Sequence, residues 1–356
     1  MAFLISLGKI NKNLIYPIIA GIAPIINLLI IKRTNPSYVN YPFIVIIITG
    51  ICLLFSIIPL LISNRLNKGG QKFNITRRIK VHKFVLIFLT TIFDFVETLL
   101  DNFYEDLKVS QIILINFILI TLFSYFILKI KLYKHQYFSM IIIFICGIVL
   151  FIIEPLFSKK FKITLLQLFF EICFCLIFVL SKYLMEYKFC SPYEICFYHG
   201  ILFVLFTGIS YIFFRIYGQK HVDFSEYKLD CKEILGMFSF VIFTFIFNLF
   251  IYITLRIYNP FYVMFIFIII KIELTFMTYE IGWKLYIIII LLCVLIFIML
   301  VFNEILILNF CGLEKNIRIN LEQKALEENM EKNRESKIEI EEYKVELLNK
   351  KEEEED

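Results

Sequence analysis

The chain has 356 residues, 60% of them hydrophobic, with a mean hydropathy of +0.81 and a net charge of +5. A soluble domain averages roughly 45–50% apolar residues, so this composition excludes a water-soluble globule and makes lipid the expected solvent. Nine cysteines without a CxxC pair and four scattered histidines give no disulfide framework, metal site or cofactor to expect.

The first residues, MAFLISLGKINK, hold only a short apolar run with no small-residue cleavage site after it. No cleavable signal peptide is expected. Apolar runs long enough to cross a bilayer then recur about ten times, with cores at 13–31, 42–63, 84–104, 109–128, 136–157, 163–185, 195–214, 235–255, 261–280 and 285–303. All are expected to be helices, because backbone exposed to lipid must satisfy its own hydrogen bonds. The alternation of membrane β-strands is absent.

Basic residues set the orientation. The loop after span two holds Arg65, Lys68, Lys72, Arg77, Arg78, Lys80 and Lys83, which puts the N-terminus in the cytosol. Lys129, Lys131 and Lys134 after span four agree, whereas Lys159, Lys160 and Lys162 after span five oppose. An even span count returns the C-terminus to the cytosol. Asn74-Ile75-Thr76, the only acceptable glycosylation sequon, is then cytosolic and expected to stay unmodified.

Span three contains FDFVETLLDNFYEDL, with Asp94, Glu97 and Asp101 at i, i+3 and i+7. That spacing aligns the three carboxylates on one helix face. A carboxylate at the bilayer centre costs about 2.5–3.5 kcal/mol, so the face is expected to meet a watery cavity or partners within the bundle. The functional reading is a cation or proton site on a transport path. The structural alternative places Asp101 at the interface with Glu105 and Asp106, and pairs Asp94 and Glu97 with basic residues. Asn116 in span four reads as interhelical glue. Glu154 and Glu171 read as snorkelling residues near span ends. His199 reads as a polar interhelical contact. Lys271, the lone basic residue deep in a span, either neutralises a span-three acid or binds an anionic group of a solute; Glu273, two residues on, points away from it.

Two very short loops, YEDLKVSQ (104–111) and LRIYNP (255–260), superpose at an offset of roughly 148 residues. Lys108 then faces Arg256 and Tyr104 faces Tyr252, and Asn248 lies at the equivalent of the Asp101 region. Five helices is an odd number, so the second copy enters the membrane inverted. The expected architecture is an all-α membrane protein of ten transmembrane helices in two inverted five-helix repeats, 1–157 and 158–313, followed by a charged tail, 314–356.

Asp94 stands early in span three, followed by LFS at 122–124 and LKIKLYKHQY at 128–137 with Leu132, Gln136 and Tyr137. Later come KYLMEYKFCSPYEICFYHG (182–200), with Pro192 and Gly200, YEIGW (279–283) and NEILILNFCGL (303–313). Together these stretches resemble the drug/metabolite transporter superfamily, and more narrowly solute carrier family 35, subfamily F. The resemblance covers roughly residues 13–313. It implies ten helices in two inverted repeats, with span three bordering the transport path. The chain departs from the family pattern at Ile113-Leu114, where an Arg-Gly pair is common, and at His199, where an acidic residue is common.

The combined expectation is a secondary transporter moving a small organic solute by alternating access, with proton coupling left open. The transport path would be formed by Asp94, Glu97, Asp101, Asn248 and Lys271. Carboxylates outnumber basic groups in the spans, which favours a cationic or neutral solute or a titrating carboxylate. The alternative is a membrane-anchored scaffold whose Glu- and Lys-rich tail binds a cytosolic partner. An intramembrane enzyme is not expected, since GxGD, HExxH and DHHC patterns are absent. The expected partners are membrane lipid and a small-molecule solute, without nucleic acid; a homodimer is left open. The expected location is an endomembrane (Golgi, vacuole or lysosome).

Overall fold

The computed structural model describes residues 5–7, 15–34, 36, 41–66, 77–103, 113–130, 132–153, 161–216, 230–278 and 282–308. Each apolar run becomes helical: α1 (Ile15–Thr34), α2 (Pro42–Leu54), α3 (Ile57–Leu66), α4 (Arg77–Phe103), α5 (Ile113–Leu128), α6 (Lys134–Ile153), α7 (Phe161–Tyr187), α8 (Pro192–Ile216), α9 (Cys231–Ile257), α10 (Phe261–Thr278) and α11 (Trp283–Phe302). The second run is divided between α2 and α3. Pro59 has no N–H to give the carbonyl of Phe55, so the helix breaks there. Ser56 Oγ closes the break by bonding Leu53 O at 2.6 Å.

Local chemistry sets the other ends. Pro42 and Pro192 open α2 and α8, where their missing N–H costs nothing. Ser191 Oγ accepts from Glu194 N at 3.0 Å, and Asp230 Oδ1 accepts from Glu233 N at 2.8 Å. Both are N-caps that satisfy an orphan donor.

The outer surface is apolar. Ile209, Ile212, Phe213 and Ile216 on α8 are exposed, as are Leu122, Tyr125 and Phe126 on α5. Such a surface is stable only where the solvent is itself apolar. Among the described residues, six segments are long and apolar enough to cross a membrane: Ile15–Thr34, Pro42–Ser63, Leu168–Tyr187, Pro192–Ile216, Cys231–Ile257 and Leu285–Phe302. Three apolar helical stretches, Ile115–Leu128, Lys134–Leu150 and Phe261–Lys271, are shorter. The chain is built as an integral membrane protein.

Two compact units form. The larger comprises the described residues within Ile10–Lys131 and Ile141–Met299. Here α1 packs on α9 and α10, α2 on α8 and α9, α4 on α7 and α8, and α5 on α7 and α10. The crossing of α2 and α8 depends on two glycines. A Cβ at Gly200 would stand 2.7 Å from Leu54 N, and one at Gly50 would stand 2.9 Å from Val204 Cγ2. Small residues let the two backbones approach this closely. Beside the crossing, Phe95 and Phe203 meet edge-on, their ring centres 5.3 Å apart.

The smaller unit comprises the described residues within Met1–Lys9, Leu132–Met140 and Leu300–Asp356. It contains β1 (Ile5–Leu7) and β2 (Leu306–Leu308), antiparallel with Ser6 opposite Ile307. These strands depart from the helical expectation and lie outside the ten apolar runs. Helix α11 ends where Glu304 turns to φ 59° and Ile305 N bonds Leu300 O at 2.9 Å, releasing the chain as β2. Gln136 joins the unit's segments, accepting from Tyr133 N at 2.9 Å and donating to Phe302 O at 3.3 Å.

Candidate functional site

The inner stripe of α4 carries Thr90, Thr91, Asp94, Glu97 and Thr98, at the spacing of a single helix face. Thr90 and Thr91 are fully buried and return their hydroxyls to Ile87 O at 2.9 and 2.7 Å. Asp94, Glu97 and Thr98 line a cavity of about 360 Å³ inside the larger unit. Thr49 and Leu53 of α2 and Pro24 of α1 also line it, as do Phe174, Ile177 and Phe178 of α7, which packs on α4, and Phe267 and Ile270 of α10. Helix α9 adds Thr244, Phe247, Asn248, Ile251 and Tyr252.

Four of the lining residues are phenylalanines that pack on one another. Phe174 meets Phe267 at 4.8 Å between ring centres and Phe178 at 4.9 Å, both edge-to-face. Phe247 joins Phe267 at 6.4 Å and 85°. Edge-to-face aromatic clusters hold their rings in fixed orientations. Asn248 Nδ2 donates to Thr244 O at 2.9 Å, which aims its amide along α9.

Beneath the cavity lies a buried imidazole. His199 on α8 is 0% exposed. Its Nε2 lies 2.9 Å from Thr90 Oγ1, and its Nδ1 lies 3.1 Å from Tyr252 OH and 3.6 Å from Asp94 Oδ2. His199 therefore ties α8 to both α4 and α9, as an interhelical contact would. It also places a titratable ring against a cavity carboxylate.

Of the residues singled out in the sequence, Asp94, Glu97 and Asn248 line one cavity. Lys271 is half-buried, directly after the lining residue Ile270, and is not part of the lining. The side chain of Asp101 lies outside the described residues, as do Glu105, Asp106, Glu154 and the side chain of Glu273. Asn116 is buried and accepts from Cys175 Sγ at 3.5 Å, a contact between α5 and α7. Glu171 does not snorkel: it is 0% exposed on α7, whose first turns extend the helix well before it.

The aromatic wall and the Tyr252–His199 link were not legible beforehand. Phenylalanine occurs 41 times in this chain, so no Phe spacing stands out. A histidine directly before Gly200 was the only signal for the imidazole. Among the described residues, no three His, Cys, Asp or Glu side chains converge as a metal site would require. No protein-family model and no curated protein matches the chain.

Proposed function

We propose that the chain is a secondary transporter, and that the cavity around Asp94 and Glu97 is where its solute binds during alternating access. The observation that carries this reading is a cavity of about 360 Å³ that holds two carboxylates and is lined by helices α1, α2, α4, α7, α9 and α10. A purely anchoring bundle has no reason to bear carboxylates within its apolar spans beside a cavity.

The packing supports two related halves. Exchanging α1 with α7, α2 with α8, α4 with α9 and α5 with α10 turns the α1–α9 contact into α7–α4. It likewise turns α1–α10 into α7–α5, and α2–α9 into α8–α4. Gly50 against residues 203 and 204 becomes Gly200 against residues 53 and 54, an offset of about 150 residues rather than 148. At that offset Asn248 corresponds to Thr98, not to the neighbourhood of Asp101. On this reading α2 and α3 form one of ten spans, α4 is another despite its charges, and the halves are inverted. Residues 314–356 form a cytosolic tail. Cytosolic termini follow from the loop charges, and an endomembrane location is proposed with them. The resemblance to drug/metabolite transporters points the same way.

Reconstituted protein tests the proposal. Asp94→Asn and Glu97→Gln keep shape and remove charge. Each should lower solute uptake into proteoliposomes about tenfold or more while the melting temperature holds, given the ~1.5–3 kcal/mol of a charged hydrogen bond. Uptake unchanged in both variants would remove the cavity from the path.

A further inference from the structure

We propose that His199 and Asp94 form a proton-binding site, in which ring Nδ1 of His199 takes the proton and the Asp94 carboxylate balances it; its role in coupling rests on reading the cavity as the solute site. The ring's hydrogen bonds define its neutral form. Thr90 gives its hydroxyl to the carbonyls of Leu86 and Ile87, at 3.1 and 2.9 Å. The Thr90 oxygen, 2.9 Å from Nε2, is left as an acceptor, so Nε2 carries the ring proton. Nδ1 then offers a lone pair, which accepts from Tyr252 OH at 3.1 Å. Asp94 Oδ2 stands 3.6 Å from the same Nδ1, too far for a hydrogen bond and close enough for an ion pair. One proton at Nδ1 turns a lone pair beside a carboxylate into a charged donor beside it.

The proton has a route and a consequence. His199 is fully buried, whereas both groups at its Nδ1, Asp94 and Tyr252, line the cavity. A proton from solvent in the cavity reaches the ring through Asp94 and forms an N–H bond on the Nδ1 lone pair. Tyr252 keeps its own proton and loses its acceptor. In the neutral state, α8 is tied to α4 through Thr90 and to α9 through Tyr252. In the charged state both ring nitrogens serve α4, at Thr90 and Asp94, and the tie to α9 is gone. Binding and releasing one proton thus exchanges the partners of α8 beside the cavity, and a proton that favours one set of contacts shifts the balance between two states. The elements packed on α8 bring other titratable groups. Helix α2 has only the buried Cys52 thiol, and α3 has Arg65 in its last turn. On α4, Glu97 lies one turn beyond Asp94, while the basic residues from Arg77 to Lys83 lie in the first two turns, Lys83 paired with Glu194 at 2.6 Å. On α9, Arg256 is in the last turn, and Lys232 and Glu233 are at the far end. Buried Cys196 precedes His199 by one turn of α8 itself.

The test is solid-state NMR of the full chain in lipid bilayers, with nitrogen-labelled histidine rings and the His199 ring assigned through its backbone link to Gly200. As the pH is lowered, the ring should pass from a neutral form protonated on Nε2 to a form protonated on both nitrogens. At the pH where the wild-type ring is half charged, Asp94→Asn should lower the ratio of charged to neutral ring about tenfold or more, because an amide cannot balance the charge. Tyr252→Phe removes the bond that favours the neutral ring and should raise the same ratio about threefold to tenfold. The rings of His82, His135 and His221 should not respond to either change. A ring that keeps one state at every pH overturns the proposal, as does a neutral ring protonated on Nδ1. So does a ratio unmoved by Asp94→Asn. The wild-type titration and its tautomer need no variant, so a variant that misfolds leaves the test intact. Proteoliposomes offered a metabolite extract, with uptake read by mass spectrometry, separate this site from the transport reading. The expected ring behaviour without uptake of any component would keep the proton site and remove transport. Asp94-dependent uptake with a ring fixed in one state would keep transport and overturn the proton site.

Discussion

Helices α4 and α9 reach the same cavity from opposite ends of the chain, and they bring different chemistry to it. At an offset of about 150 residues, Asp94 corresponds to Thr244, Glu97 to Phe247 and Thr98 to Asn248. Small hydrogen-bonding side chains stand at two of these positions on α9, while both charges stand on α4. The backbone relation, by contrast, is kept in detail, since the Gly50 and Gly200 contacts are near mirror statements of each other. Close packing tolerates little change in shape at a helix crossing, whereas a cavity wall has room to change chemistry.

The largest effect should come from breaking the crossing of α2 and α8 at Gly50 and Gly200. In Gly200→Ala the new Cβ would meet the backbone nitrogen of Leu54 at 2.7 Å, and backbone cannot step aside. The cost should be at the upper end of the ~1–3 kcal/mol typical of overpacking, read as a lowered melting temperature. Gly50→Ala meets the end of the Val204 side chain at 2.9 Å, so part of the clash can relax and the loss should be smaller. Gly208 has nothing within 4 Å of a new Cβ. Gly208→Ala should be neutral or should gain up to about 1 kcal/mol from helix propensity. If Gly200→Ala and Gly208→Ala behaved alike, the close crossing would not be what joins α2 to α8.

The next effect concerns the buried imidazole that links α8 to α4 and α9. His199 reaches α4 through Thr90 and α9 through Tyr252. His199→Leu leaves a buried phenol without this partner, at about 1–3 kcal/mol. His199→Gln keeps a polar group and should lose less. Equal stability of the Leu and Gln variants would mean that the imidazole only fills space.

Much of this was readable in the sequence, for physical reasons. Ten apolar runs announce helices because lipid leaves the backbone no other partner, and each run does fall on a helix. The division of the second run at Phe55 was missed, although Pro59 four residues on marks it. The i, i+3 spacing of Asp94 and Glu97 is a local property, and local geometry is what sequence encodes directly. The aromatic wall is assembled from α7, α9 and α10, so it depends on which helices meet. Nothing in a single helix records that. The same holds for Glu171: distance from a span end suggested snorkelling, but burial is decided by the helices packed around it.

The smallest effect leaves stability untouched and asks whether the two halves are inverted. On the proposed inverted topology, α4 begins on the cytosolic side and α9, its proposed counterpart, begins on the opposite side. Cys231, the first residue of α9, is exposed. Cys190 precedes α8, on the expected cytosolic side; it is buried, and that burial pushes its thiol up to about 12. Thiolate is the reacting species, so Cys190 should stay unreactive across pH 7 to 9, roughly three units below that value. Cys293 is exposed but sits within Leu285–Phe302, a segment apolar enough to lie in lipid, out of reach of a water-soluble reagent. In a Cys311→Ser background, sealed vesicles with the cytosolic face outward should take up almost no impermeant maleimide. Permeabilisation should then expose one labelled site, removed by Cys231→Ser. Labelling of Cys231 in the sealed vesicles would put the starts of α4 and α9 on the same side. The halves would then be parallel copies, and the chemical difference between α4 and α9 would face the two compartments in a different order.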